Sequence, residues 1–290
     1  MKYLVIVALA LVSGRRLIDV PMSILGLGRS DHRIVLAYWG GESEVNPIGG
    51  YAEGRGWLSD SECLEFIKKG TRIDIVKLGS GKIGTFTVDR LLTPSEEPPD
   101  EGTIYAEGTV KAKEEGDSGS DAIIGVFDPG TEPPKTEVIP PDNETYHKIA
   151  KDFLKGEGIN KADLETMFIS QVVKVDLEGD GTDEVFISVQ SSENYLTDFW
   201  EEEGGRFYSY LFMRKVVNGK VRTFVLYGEQ YARGDVGITL IFRLAGFWDL
   251  DGDGTLEIIT DEAYYEGFGF GIYSFEDGEF VYRTGWGMGV

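Results

Sequence analysis

The chain has 290 residues, with 50 acidic against 28 basic side chains and a net charge of −22. A field of that sign repels nucleic acid and anionic membrane surfaces and favours cations, which argues against the first two as partners. Its one cysteine, Cys63, excludes an intramolecular disulfide, while 39 glycines and 12% aromatics point to short strands joined by tight turns.

The first residues have the composition of a secretory signal over 1–14. Met1-Lys2 is the positive region, Tyr3 to Val12 is apolar, and Val12-Ser13-Gly14 offers small residues for cleavage. The apolar run is too short to span a bilayer. This reading places the protein outside the cytoplasm (secreted, at the cell surface or periplasmic), with no membrane insertion after signal removal. The alternative is a buried first strand, since Leu4 to Val7 is β-prone.

Residues 15–128 are expected to form a small β-rich domain with one helix. Strands are expected over Arg33–Trp39, Arg72–Leu78, Lys82–Leu92, Thr103–Lys113 and Ala122–Phe127. Between the first two, Ser59 with Glu62 makes a capping-box pattern and Gly70 a stop, so a short helix should bury Cys63, Phe66 and Ile67. That thiol reads as structural, because neither histidine is near it in sequence. Residues 129–142 carry five prolines and read as a semi-rigid linker. A domain over 143–290 then begins with an amphipathic helix, in which Tyr146, Ile149, Ala150, Phe153 and Leu154 follow helical spacing.

Two acidic loops of one design dominate the last part of the chain: Asp176-Leu-Glu178-Gly-Asp180-Gly-Thr182-Asp-Glu184 and Asp249-Leu-Asp251-Gly-Asp253-Gly-Thr255-Leu-Glu257. Acids fall at positions 1, 3, 5 and 9, glycines at 4 and 6, and threonine at 7. Hard oxygens on alternate residues of a tight loop suit Ca²⁺, and the glycines let the backbone turn inward. The candidate ligands are therefore Asp176, Glu178, Asp180, Thr182 and Glu184 in loop one, and Asp249, Asp251, Asp253, Thr255 and Glu257 in loop two. An EF-hand is excluded, because position 12 is Ile187 or Thr260 and the flanks are strand-like. The alternative is a pair of acidic hairpin turns without an ion.

Each loop is followed by an aromatic-rich hairpin. One turns at Asn218-Gly219 and the other near Asp277-Gly278, both strong hairpin signals. The acid spacing followed by apolar strand residues resembles the FG-GAP and VCBS repeats of integrin α-chains and bacterial surface proteins, over residues 165–290. The resemblance implies two propeller-blade-like β units with calcium loops, an extracellular location and an adhesion role. The expected fold is thus mainly β.

No catalytic motif is present: G-x-S-x-G, H-E-x-x-H, the P-loop and the Rossmann glycines are all missing, and there are two histidines. Acid clusters stand at Glu201–Glu203 and at Asp261-Glu262. The leading expectation is a non-enzymatic, secreted calcium-binding protein that engages an extracellular protein or carbohydrate, or copies of itself. The alternatives are a structural subunit of an extracellular assembly and a calcium-stabilised carbohydrate-active enzyme. The aromatics of Tyr264 to Gly271 could serve as a carbohydrate or peptide surface or as packing between sheets.

Overall fold

The computed structural model describes residues 32–38, 44–92, 105–112, 123–127, 132–193, 206–232, 240–264 and 266–289. The signal segment 1–14 and the acids 201–203 lie outside them. The described residues form three antiparallel sheets and two α-helices, and the fold is mainly β. None of the described helices is long and apolar enough to cross a membrane.

The first sheet contains β1 (His32–Tyr38), β2 (Glu44–Ala52), β3 (Gly56–Leu58), β4 (Arg72–Lys77), β5 (Gly81–Leu92), β6 (Tyr105–Ala112) and β7 (Ile123–Phe127). Its pairings run β1-β7-β4-β5-β6-β2, and β2 pairs again with β1, so six strands are hydrogen-bonded in a ring to which β3 is appended. Within the ring lie Ile34, Leu36, Ile73, Ile75, Phe86 and Val88, joined by Cys63 and Ile67. The capping box forms as its residues dictate: Ser59 Oγ accepts the Glu62 N–H, and the Glu62 carboxylate accepts the Ser59 N–H at 2.9 Å. The helix it starts, α1, is shorter than expected, at Asp60–Cys63. After Cys63 the chain tightens into turns bonded three residues apart, such as Phe66 N to Cys63 O, on its way to Thr71 and β4. Burial pushes the Cys63 thiol far above its ordinary range, as befits a packing residue.

The second sheet has the order β12-β11-β10-β9-β8, from β8 (Thr136–Ile139), β9 (Phe168–Val175), β10 (Glu184–Gln190), β11 (Arg206–Val217) and β12 (Lys220–Ala232). β8 falls inside the proline-bearing stretch read as a linker. The β-branched Thr136, Val138 and Ile139 pair with β9, and an end strand tolerates prolines on both sides. Helix α2 (Glu144–Gly156) starts where expected, with the Asn143 side chain accepting the Thr145 N–H at 3.1 Å. Ala150 and Leu154 are fully buried against the outer face of this sheet, and Phe153 stacks on Phe212 with ring centres 4.2 Å apart.

The third sheet is a four-stranded meander of β13 (Leu240–Trp248), β14 (Glu257–Tyr264), β15 (Gly267–Glu276) and β16 (Glu279–Gly289). Both Asn218-Gly219 and Asp277-Gly278 form their two-residue hairpins with positive φ at each residue. The meander lies between the other two sheets. Ile259, Phe270 and Ile272 share a core with Val35, Ile48 and Val126 of the first. Leu244, Phe247 and Ile258 share one with Val173, Phe186 and Met213 of the second. Burial on both faces explains why β1 reads as a continuous apolar run from Ile34 to Ala37 rather than as an alternation.

Candidate metal centre

Both acidic loops connect adjacent antiparallel strands, loop one between β9 and β10 and loop two between β13 and β14. Gly179, Gly181, Gly252 and Gly254 have φ between +68° and +95°, a backbone that side-chain-bearing residues rarely adopt. Each loop is pinned twice in the same way. The leucine at position 2, Leu177 or Leu250, is fully buried in the core between sheets. The glutamate at position 9 folds back to accept that leucine's N–H: Leu177 N to Glu184 Oε2 at 3.0 Å, and Leu250 N to Glu257 Oε2 at 2.6 Å. The acid expected as the last metal ligand therefore also closes the loop.

The loops differ in what faces that glutamate. The β10–β11 register runs through Val185–Arg214, so Lys215 stands across from Glu184. Its ammonium donates to Glu184 Oε1 at 2.9 Å and to Glu178 Oε2. Burial pulls the Lys215 pKa down, but the hydrogen bonds to the two glutamates outweigh it and hold the ammonium above the ordinary lysine value. Both oxygens of Asp176 are occupied as well, accepting the N–H groups of Asp180 at 3.0 Å and Gly181 at 2.8 Å. Asp180 turns to the Thr182 N–H at 2.8 Å. Loop one thus holds an internal cation where its acids converge.

In loop two the register through Ile258–Tyr273 sets Ser274 across from Glu257. Ser274 Oγ donates to Glu257 Oε1 at 3.2 Å and accepts from Arg283 Nε at 3.0 Å. The Arg283 guanidinium pairs with Glu276 and lies over the Trp57 ring; it meets Glu257 through the Ser274 hydroxyl, and its charge acts on Asp251 from a distance without outweighing burial. Asp249, Asp251 and Glu257 each offer an oxygen within 4.8 Å of the others, the one such trio among the described residues. Two oxygens on opposite sides of a Ca²⁺ at 2.3–2.6 Å lie ~4.6–5.2 Å apart, so an ion fits between them. Burial pushes the Glu257 carboxyl up to about 8 in the ion-free chain, with the Asp251 charge adding to it. Burial likewise raises Asp251. Carboxylates held together and desolvated without a cation favour an ion that neutralises them. Asp253 takes no part in the trio and accepts the Thr255 N–H at 2.7 Å.

The loops are also joined to one another. Leu256 N of loop two donates to Leu177 O of loop one at 2.9 Å, and Arg33 of the first sheet donates to Leu250 O at 2.6 Å. Loop two is therefore the place where all three sheets meet. Sequence reasoning missed Lys215 and Ser274, which lie 31 and 17 residues beyond their partners and are placed only by strand register.

The acids at 261 and 262 do not form a pair. They are consecutive on β14 and point to opposite faces. Asp261 bonds Arg243 at 2.7 Å, while Glu262 accepts from Thr260 and Tyr273. His32 packs between Phe66 and Phe127, at 4.5 and 5.2 Å between ring centres. Comparison of the chain with protein-family models, with curated proteins and with solved structures finds no match.

Proposed function

We propose that this chain is a non-enzymatic, calcium-binding β protein whose single calcium site is loop two, and that the ion fastens the junction of its three sheets. One observation carries the reading. Asp249, Asp251 and Glu257 gather around a space of ionic size with no ammonium among them, whereas the matching loop has Lys215 in that place. Calcium would be held by the trio, and the other hard oxygens of loop two, Asp253 and Thr255, are the remaining candidates for the shell. Because Leu250 and Leu256 link the loop to both neighbouring sheets, the ion would stabilise packing rather than supply chemistry.

Extracellular calcium modules work at ~10⁻⁴–10⁻³ M, the range expected of this site if the chain is secreted. The acidic composition and the apolar run after Met1-Lys2 support secretion and an adhesive or ligand-binding role toward an extracellular protein or carbohydrate. The two strand–acidic loop–strand meanders, β9–β12 and β13–β16, support an FG-GAP/VCBS-like blade as the repeating unit. A second reading, a subunit that associates with its own copies, is favoured by β12, an end strand with exposed Val221 and Val225. Sedimentation at rising concentration separates the two.

The test of the main reading is thermal unfolding in chelator and in 1 mM calcium. At tenfold excess over a Kd of 10⁻⁴ M the ion adds ~1.4 kcal/mol, a rise of about 3–5 °C. Asp251→Asn should remove the rise, and an unchanged midpoint in the native chain would reject the site.

A further inference from the structure

A second site lies at the opposite end of β14, and the argument for it is independent of calcium. The segments Gly267-Phe-Gly-Phe-Gly271 and Gly285-Trp-Gly-Met-Gly289 alternate glycine with a large residue, so in a strand all the glycines fall on one face. The register sets them opposite one another, as Gly267–Gly289, Gly269–Gly287 and Gly271–Gly285. One face of β15–β16 therefore lacks side chains over three consecutive cross-strand pairs. Three hydroxyl or carboxyl groups lean into the space this leaves. A Cβ on Gly289 would meet the Tyr264 hydroxyl, one on Gly285 would meet the Tyr282 hydroxyl at 2.6 Å, and one on Gly271 would meet Glu262 Oε1 at 2.6 Å. Over the middle pair no side chain intrudes, and only the paired backbone is near: a Cβ on Gly269 would meet Trp286 O at 3.0 Å. A Cβ on Gly287 would find its nearest neighbours, both backbone, at 3.5 and 3.6 Å. The result is a trough of about 330 Å³ with Gly269 and Gly287 as its floor and Leu240, Glu262, Tyr264 and Tyr282 around it.

Glu262 is the one charged side chain among the residues that line this trough. Glu262 Oε1 accepts from Thr260 Oγ1 at 3.0 Å and Tyr273 OH at 3.3 Å, while Oε2 has no hydrogen-bond donor among the described residues. Glu262 makes no ion pair among the described residues, and the charge that acts on it is another acid, Asp261. Burial, the largest influence on it, raises its carboxyl above the usual range. The carboxylate is half-buried and lines the trough, and no cation among the described residues pairs with it. A positively charged guest would satisfy Oε2, take the tyrosine hydroxyls as further acceptors, and lay its apolar stem along the glycine floor and the rings. The volume is at the small end for ligand sites and matches a single aliphatic amine or amino-acid side chain.

We infer that the glycine-floored trough between Glu262, Tyr264 and Tyr282 is a binding site for an organic cation, an ammonium or guanidinium group on a short apolar stem. Such a group comes either from a free amine or from a lysine or arginine side chain of a partner.

The full chain is titrated at fixed calcium and 150 mM salt, followed by ligand-observed NMR. The probes are n-butylammonium, methylguanidinium and their neutral counterpart n-butanol, and a blocked tripeptide carrying lysine or arginine with its norleucine analogue. The expected result is binding of at least one cationic probe, at least tenfold tighter than its neutral counterpart. It should fall at least tenfold in Glu262→Gln and also in Gly287→Val, which fills the trough and keeps the carboxylate. Circular dichroism of both variants checks the fold. Binding of the peptides alone identifies a partner's side chain as the source, and binding of the small amines identifies a free ligand; either sustains the site. Equal binding of neutral and charged probes, no binding of any cation at 10 mM, or binding unchanged in both folded variants would overturn it.

Discussion

Replacing Lys215 by Met should turn loop one from a closed ion pair into a calcium site. The substitution keeps the apolar stem and most of the volume but removes the ammonium, so packing is largely preserved. What is lost is set by the surroundings of the two acids. Glu184 is 2% exposed at its side chain and bonded to the ammonium at 2.9 Å, whereas Glu178 is 38% exposed and can turn to water. Breaking a buried pair costs ~3–5 kcal/mol, and an exposed one ~0–1. With one buried partner the loss belongs at the lower end, about 3 kcal/mol, or ~6–12 °C in unfolding midpoint for a chain of this size. The assay is thermal unfolding in chelator and again in millimolar calcium. In chelator the full loss should appear; calcium should return ~1–2 kcal/mol of it, beyond its effect on the native protein, as the freed carboxylates take up an ion. A variant as stable as the native chain in chelator, or one with no added calcium response, would show that Lys215 does not stand in for a cation.

Two further outcomes follow from the same geometry. In chelator, stability should fall as pH rises from about 5 to 8. The folded Glu257 carboxyl sits at about 8 against an ordinary 4.5, so the folded state holds its proton more tightly and loses that advantage as the group ionises. At ~1.4 kcal/mol per unit the fall is on the order of 3–5 kcal/mol, and denaturant titrations should find it flattened in Glu257→Gln; an identical slope in the variant would reject this assignment. Leu250→Ala should cost ~2–5 kcal/mol, since the side chain is fully buried in the core between the first and third sheets, and should weaken calcium binding by loosening the loop. Loss of stability with calcium affinity intact would detach the loop from that core.

Much of this fold could be read from local chemistry. Asn143 and the spacing from Tyr146 to Leu154 specify α2, and Asn218-Gly219 and Asp277-Gly278 specify their hairpins, because each signal acts within one or two turns of chain. The strand β8 was hidden by neighbouring prolines, and β2 by Pro47, Gly49 and Gly50, which break the expected apolar alternation. The stacking of three sheets could not be read, because Val35 and Ile259 meet across most of the chain. The candidate site divides the same way. Acid spacing and positive-φ glycines were visible as a repeated pattern. The difference between the loops was not, since it rests on the residue across from position 9, Lys215 in one and Ser274 in the other. That pairing depends on cross-strand register, which the acid spacing does not carry. The alternating glycines of β15 and β16 were equally plain as letters, but only the cross-strand register turns them into a trough beside Glu262.

The account turns on the two loops being unlike in their need for an ion, and calcium stoichiometry measures that directly. Equilibrium dialysis of the full chain at pH 8, against calcium up to several millimolar, should give one ion per native chain, none in Asp251→Asn and two in Lys215→Met. Two ions in the native chain, or one that persists in Asp251→Asn, would contradict the claim that Lys215 closes loop one and that Asp249, Asp251 and Glu257 hold the metal.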